Sequence, residues 1–354
     1  VSAFELGVYS FGNTPRTAEG GYGPTAQAVR DALEAARVAD EVGLDFFGFG
    51  EHHTPSMPLS SPTSMVVAAA ATTRRIKLGT TVSVLSTDEP IRVFQQLATA
   101  AAVAPGRIDL VAGRGSSPIT FPIFDFDERD YDPLYGSKLE LLISINQHER
   151  VTWSGPHRRR PLKDTLVVPR PEQPLRIWLG TGGSPESVGR AAQLGLPLFL
   201  GILGGTPERW AQYGRAYREA WAKLGHPADA AEVAVAVHGF VAEDDRLAKA
   251  TYLEHEGRMF QTGSAEIGRP LRAPVGRERD LERGGMVFAG GPNEVAERIL
   301  HLHALLGHSR QILQMDVGGM PHATFLKGIE LLGTKVLPQI RKALGTDGTS
   351  GRSM

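Results

Sequence analysis

The sequence predicts an α/β chain built as a (β/α)8, or TIM, barrel with insertions. Three observations carry that expectation. Strand-like and helix-like segments alternate along the chain, eight such pairs can be counted, and no dinucleotide-binding glycine fingerprint marks the competing doubly wound sheet. A barrel of this kind takes about 250 residues, so the 354 residues here leave an excess of roughly a hundred. The excess falls near 116–133, 151–174 and 243–290. Residues 1–345 are therefore expected to form one barrel domain, and 346–354 a flexible C-terminal tail.

The first strand is ELGVY, Glu5 to Tyr9, followed by a Gly/Pro-rich loop. Val29, Leu33, Ala36 and Ala39 recur at helical spacing and place a helix over about Gln27 to Val42, stopped by Gly43. The second strand is the apolar run Leu44 to Phe49, which ends abruptly in Glu51, His52 and His53. A helix over Thr63 to Thr73 leads to the third strand, Ile76 to Leu85. Pro90, whose missing N–H costs nothing in a first turn, opens the next helix. Arg107 to Gly115 is the fourth strand and Ser137 to His148 the fourth helix. After a polar, Pro-rich interruption, RIWLGTGG runs into SPES, where Ser184 suits an N-cap and Pro185 a first helical position. Leu196 to Ile202 is the sixth strand, and its helix carries Trp210, Tyr213, Tyr217, Trp221 and Leu224. Val233 to Ala242 is the seventh and Gln311 to Gly319 the eighth, before a helix with Phe325, Ile329 and Leu332 on one face. Between those two strands, Leu247 to Met259 reads as helix, 263–285 as a Gly/Arg-rich tract, and Gly291-Pro292-Asn293 as another helix start.

Composition narrows the partners. The 38 Lys and Arg nearly cancel the 39 Asp and Glu, so no global field steers the chain to nucleic acid or anionic lipid. Cysteine is absent, which removes disulfides, thiolate metal sites and cysteine nucleophiles together and makes a reducing cytoplasm the expected compartment. No apolar run approaches the roughly 20 residues of a spanning helix, and the first residues lack a secretory pattern.

In a barrel the C-terminal ends of the strands form the active-site rim. That rule gathers Glu51, His52 and His53 from strand two, Thr80, Thr81 and Ser83 from strand three, and Arg114 from strand four. Strand five adds Thr181, Gly182, Gly183 and Ser184. Its two glycines let backbone approach a ligand, and the helix start offers N–H groups and a positive dipole end to an anion. Arg114, one strand away, would add a guanidinium to the same phosphate. Plain capping of a helix by Gly-Gly-Ser-Pro accounts for the same residues. His52 and His53 point in opposite directions, so at most one faces the mouth. A metal site is disfavoured there, because Glu51-His52-His53 lacks further ligands and no His-Glu-x-x-His helix is present. An acid–base role and a purely structural one both fit the histidines. The basic run His157 to Arg160 reads as a solvated loop.

Five ordered segments carry a resemblance to a known family: ADEVGLDFFGFGEHH, RIKLGTTVSVLSTDEPIR, GRIDLVAGRG, PLRIWLGTGGSPESVGRAAQLGLPL and GGPNEVAERI. In this order, from Phe4 to about Leu344, the chain resembles the bacterial luciferase-like, flavin-dependent monooxygenases. The resemblance implies a luciferase-like barrel binding FMN, or the deazaflavin F420 in sister families, at the C-terminal mouth. It implies that His52 is the catalytic residue beside the reactive edge of the flavin, and that Glu51 would orient a histidine. It implies that Arg114 helps hold the flavin phosphate and that Thr181, Gly182, Gly183 and Ser184 cradle it. Relatives often carry a non-proline cis peptide under the flavin ring, which would lie near Thr81–Val82. Gly113 stands where luciferase has a cysteine and Ile202 where it has a tryptophan. Those departures argue against light emission and leave the flavin site intact. The tract 263–285 matches in position a mobile loop that relatives close over the site.

The activity so implied is that of a flavin-dependent monooxygenase. Reduced FMN, supplied by a partner flavin reductase or reduced in place by NAD(P)H, would react with O2, and one oxygen atom would pass to a small organic substrate. His52 would be the acid–base group, its imidazole titrating near neutrality. An F420-dependent dehydrogenase on the same barrel and a non-catalytic flavin-binding protein are the alternatives. The family also implies a homodimer, with apolar helices such as Thr63 to Thr73 as candidate contact surfaces. Met57, Phe121, Phe124 and Phe126 suggest an apolar or aromatic ligand.

Overall fold

Eight parallel strands close into a ring in the computed structural model, which describes residues 3–115, 117, 119–267 and 277–345. They are β1 (Glu5–Ser10), β2 (Phe46–Phe49), β3 (Lys77–Thr80), β4 (Ile108–Gly113), β5 (Arg176–Thr181), β6 (Leu198–Ile202), β7 (Val233–Val241) and β8 (Arg310–Gln314). Each pairs with its sequence neighbours, and β8 returns to β1 with Arg310 opposite Glu5. A helix follows each strand and covers the outside. The fold is the expected (β/α)8 barrel.

Alternation along the strands splits the apolar residues into two populations. Leu6, Val8, Phe47, Leu78, Leu110 and Leu179 belong to the large core between strands and helices. Tyr9, Phe46, Val111, Trp178, Phe199, Ala234, Ala236 and Ile312 pack against one another inside the ring. At the N-terminal end, buried Arg310 closes the interior. Its Nε lies 2.5 Å from Glu5 Oε2, its Nη1 2.7 Å from Asp109 Oδ2, and its guanidinium 4.1 Å from the centre of the Phe46 ring. Two carboxylates and an aromatic face offset the desolvation of that cation.

The elements depart from the sequence reading where tertiary context intervenes. The third strand does not run from Ile76 to Leu85: it stops at Thr80, the Thr81–Val82 peptide is cis, and Ser83–Val84 pairs with Ala112 and Gly113 of β4. The eighth strand ends at Gln314, not Gly319. The interruption at 151–174 holds an antiparallel hairpin, Arg150–Trp153 with Leu162–Leu166. The fourth helix begins at Tyr131, six residues before Ser137. Most of 243–290 is regular rather than looped. Its helix extends over Asp245–Ile267, well past Met259, and Val287–Gly290 is a strand on the C-terminal half of β7. Part of the tract 263–285 and the tail 346–354 lie outside the described residues.

Candidate functional site

The C-terminal mouth of the barrel is floored by glycine. One step beyond Trp178 and Phe199 on the inward side stand Gly180 and Gly201. A Cβ built on Gly201 would meet only the Thr181 carbonyl, at 3.8 Å, and one on Gly182 would meet nothing within 4 Å. The mouth therefore opens above a layer of Phe46, Trp178 and Phe199, where a flat aromatic ligand finds both room and an apolar bed.

Two further glycines make room for the cis peptide. A Cβ on Gly48 would lie 2.4 Å from Thr81 Cγ2, and one on Gly113 would lie 2.2 Å from Val82 Cγ2. Gly113 is thus required by the packing of Val82, which partly covers the inner cluster. Thr81 and Val82 reach the mouth together, between β2 and β4.

Glu51, His52 and His53 separate into different environments. The Glu51 carboxylate is buried: Oε2 accepts the Val84 N–H at 2.8 Å, and Oε1 lies 3.1 Å from His53 Nε2. Glu51 thus orients His53 and not His52. His53 also meets the Phe124 ring, at 5.3 Å between centroids. The His52 ring instead contacts the edge of Phe11 at 4.5 Å, and Phe11 packs against the inner cluster. Among the described residues neither ring nitrogen of His52 is hydrogen-bonded. Its backbone N–H donates to the Leu59 carbonyl at 2.9 Å, which fixes the turn.

The expectation that His52 titrates near neutrality is corrected. Burial and the neighbouring His53 lower its pKa to about 4, with only a partial opposing pull from Glu266. At neutral pH the ring is uncharged. It can accept a proton or a hydrogen bond at one nitrogen and donate at the other.

At the strand-five turn, Thr181 Oγ1 accepts the N–H groups of Gly183 and Ser184 at 3.2 and 3.3 Å. Ser184 Oγ caps the helix Pro185–Gln193 through the Ser187 N–H at 3.2 Å. Gly183 is needed for its φ of 93° and because a Cβ would lie 2.8 Å from the Trp210 ring. Arg114 is turned to Asp132 at 2.7 Å and stacks over Tyr131 at 5.1 Å. Sequence reasoning missed Arg190, on the helix that Ser184 caps. Its guanidinium lies 5.8 Å from the Tyr135 ring centre, and its buried Nη1 has no hydrogen-bond partner among the described residues. Arg114 and Arg190 both act electrostatically on Tyr135, whose hydroxyl donates to the Ala112 carbonyl of β4 at 3.1 Å.

A second missed group lies on the long helix. Glu266 accepts the Tyr22 hydroxyl at 2.7 Å and the Ser56 N–H at 2.8 Å, tying the helix Asp245–Ile267 to the loops after β1 and β2. Deeper on that helix, Glu256 receives Arg277 Nε at 2.8 Å and the Tyr252 hydroxyl at 2.7 Å, and Tyr252 meets His238 Nδ1 at 3.0 Å. Arg277 also donates to the Leu203 carbonyl at 2.7 Å, at the end of β6. No local motif announces these residues, because Tyr22, Ser56, His238 and Arg277 reach the helix from distant parts of the chain.

The profile of the luciferase-like monooxygenase family matches residues 9–312. N-acetyl-S-alkylcysteine monooxygenase of Bacillus subtilis is 29% identical over 80% of this chain and 85% of its own. F420-dependent glucose-6-phosphate dehydrogenase of Kineococcus radiotolerans is 31% identical over 41% of this chain and 44% of its own. A solved structure from Pseudomonas putida superposes with a TM-score of 0.73 at 20% identity, covering 96% of this chain and 99% of that one. It is the oxygenating constituent of 3,6-diketocamphane monooxygenase, a type II Baeyer-Villiger monooxygenase, in complex with FMN.

Proposed function

From the premise that the chain belongs to the luciferase-like monooxygenase family, we propose that it is a flavin-dependent monooxygenase using reduced FMN and O2 to oxygenate a small organic substrate. The observation that carries this reading is the glycine-floored mouth with an uncharged, unpartnered His52 at its edge. The residues fit a flavin. An aromatic layer lies below the open floor, and Arg190, on the helix that Ser184 caps, carries a buried Nη1 with no hydrogen-bond partner among the described residues.

When bound, reduced FMN supplies the electrons that activate dioxygen. The chain's own residues do the rest. Thr81, Val82, Gly180 and Gly201 shape the floor. Thr181 to Ser184, Arg114 and Arg190 would hold the phosphate end. Neutral His52 moves or holds a proton at the reacting edge, which a charged imidazolium could not accept. Phe11 and Phe124 exclude water around the histidine pair. Glu51 acts as a positioning group through Val84 and His53.

Hydride transfer with F420 is the second reading, favoured by the F420-dependent relative. The two separate in one experiment. Binding of FMN and of F420 is followed by quenching of protein fluorescence, and oxygen uptake is then measured with NAD(P)H, a flavin reductase and a panel of thioethers, aldehydes, ketones, terpenes and sulfonates. The monooxygenase reading expects FMN-dependent uptake coupled to an oxygenated product. Substrate oxidation with F420 and no oxygen uptake overturns it. Flavin binding with uptake no higher than free flavin supports the storage alternative. The homodimer, the partner reductase and a cytoplasmic location belong to the same proposal. Among the described residues no helix is long and apolar enough to cross a membrane.

A further inference from the structure

At the C-terminal ends of β8 and β1, on the side covered by helices, lies a second polar site. The helices Thr25–Glu41 and His322–Leu331 pack together over the seam between those strands. Asp31 and Glu34 sit three residues apart on the first helix and meet His322 at the start of the second. One donor atom from each of the three lies within 4.8 Å of the others. Beside the trio is a small cavity lined by Ser10, Asn13, Asp31, Met320, His322 and Asp316, and no Lys or Arg is among its lining residues.

Asp316 is the independent observation. It is only 4% exposed, and the Ser10 hydroxyl donates to its Oδ2. Its buried Oδ1 has no hydrogen-bond partner among the described residues. A carboxyl oxygen buried without a donor is costly, and Asp316 lines the same cavity as Asp31 and His322. Carboxylates, one imidazole and no lining cation together call for a positive group.

We propose that Asp31, Glu34 and His322 bind a divalent cation of the zinc, nickel or cobalt type, with Asp316 accepting from a water in its shell. Imidazole with carboxylates suits such ions better than calcium or magnesium. Bonds of roughly 2.0–2.2 Å place tetrahedral donors about 3.3–3.6 Å apart, so the trio closes by about an ångström on binding. His322 Nε2 and Glu34 Oε2 are already 3.0 Å apart. Competing partners leave one oxygen on each carboxylate: Gln27 Nε2 donates to Asp31 Oδ1 at 2.6 Å, and Arg37 Nη2 lies 3.8 Å from Glu34 Oε1. The ion staples the helices Thr25–Glu41 and His322–Leu331 across the closing seam.

The test uses the full chain without a polyhistidine tag, stripped with chelator and titrated with Co2+ and then Zn2+. The readouts are the visible Co2+ absorption, its displacement by Zn2+, calorimetric stoichiometry and Tm. One ion per chain and a raised Tm are expected. His322→Ala and Asp31→Asn should each weaken affinity by more than about tenfold, and Asp316→Asn by roughly tenfold as a partner of the outer shell. Circular dichroism and flavin affinity should stay unchanged, which separates lost ligation from misfolding. Absence of saturable sub-millimolar binding overturns the proposal, as does undiminished affinity in His322→Ala.

Discussion

The backbone N–H of Val84 donates to Glu51 Oε2 at 2.8 Å, joining the end of β2 to the segment that follows the cis Thr81–Val82 peptide. The other oxygen of the same carboxylate faces His53 at 3.1 Å. Glu51 therefore holds two rim segments in place while buried. Glu51→Ala leaves the Val84 N–H unpaired and should destabilise the fold by about 1–3 kcal/mol. Urea unfolding checks this, and Glu51→Gln, which keeps an acceptor, should recover much of the loss.

His52 and His53 should respond differently to truncation. Under the monooxygenase reading, His52→Ala lowers coupled turnover by roughly 10²–10⁴-fold while flavin affinity changes little. His53→Ala removes a Glu51 partner and should act mainly on stability. Steady-state oxygen uptake beside fluorescence titration of FMN separates the two. Full turnover in His52→Ala would sink the role given to that residue.

The floor glycines can be probed individually. Gly201→Val places its Cβ where only the Thr181 carbonyl lies within 4 Å and should leave Tm nearly unchanged while weakening flavin binding by more than about tenfold, because the branched side chain would occupy the ligand's place. Gly113→Cys places its Cβ against Val82 and should cost about 1–3 kcal/mol of stability, read from denaturant midpoints.

Acid should destabilise the protein partly through His52. Its folded pKa of about 4 lies below the ordinary value of 6.5, so the unfolded chain binds the proton first. The stabilisation is fully present above about pH 6.5 and is lost as pH falls toward 4. The pH dependence of the urea midpoint between 7.5 and 4.5 should be shallower in His52→Gln.

The buried pair of Arg277 and Glu256 gives a last prediction. Arg277→Met leaves Glu256 buried without its cation and should cost about 3–5 kcal/mol, measured by thermal and urea unfolding. The double variant Arg277→Met with Glu256→Leu should recover part of that loss, since neither charge is then stranded.

Much of the barrel was legible in the chain. Val29, Leu33, Ala36 and Ala39 marked a helix by spacing, and Leu44 to Phe49 marked a strand by its apolar run. Strand three was read too long because Ile76 to Leu85 is rich in apolar and β-branched residues, and no local preference signals a cis bond between Thr81 and Val82. The hairpin of Arg150–Trp153 with Leu162–Leu166 escaped because its exposed face is polar and Pro161 precedes its second strand.

By itself the sequence determined the barrel, the family and the rim positions of His52, Arg114 and Thr181 to Ser184. Strand alternation and strand-end loops are local properties, so spacing suffices to read them. Only the tertiary structure decided which histidine Glu51 holds, that His52 lies beside Phe11 as a neutral ring, and that Arg190 packs over Tyr135. It also decided that Asp31, Glu34 and His322 meet at the seam, although nearly three hundred residues separate the helices. The physical reason is common to all of these. Burial, desolvation and pairing are set by residues that arrive from other strands, and no window along the chain contains both partners.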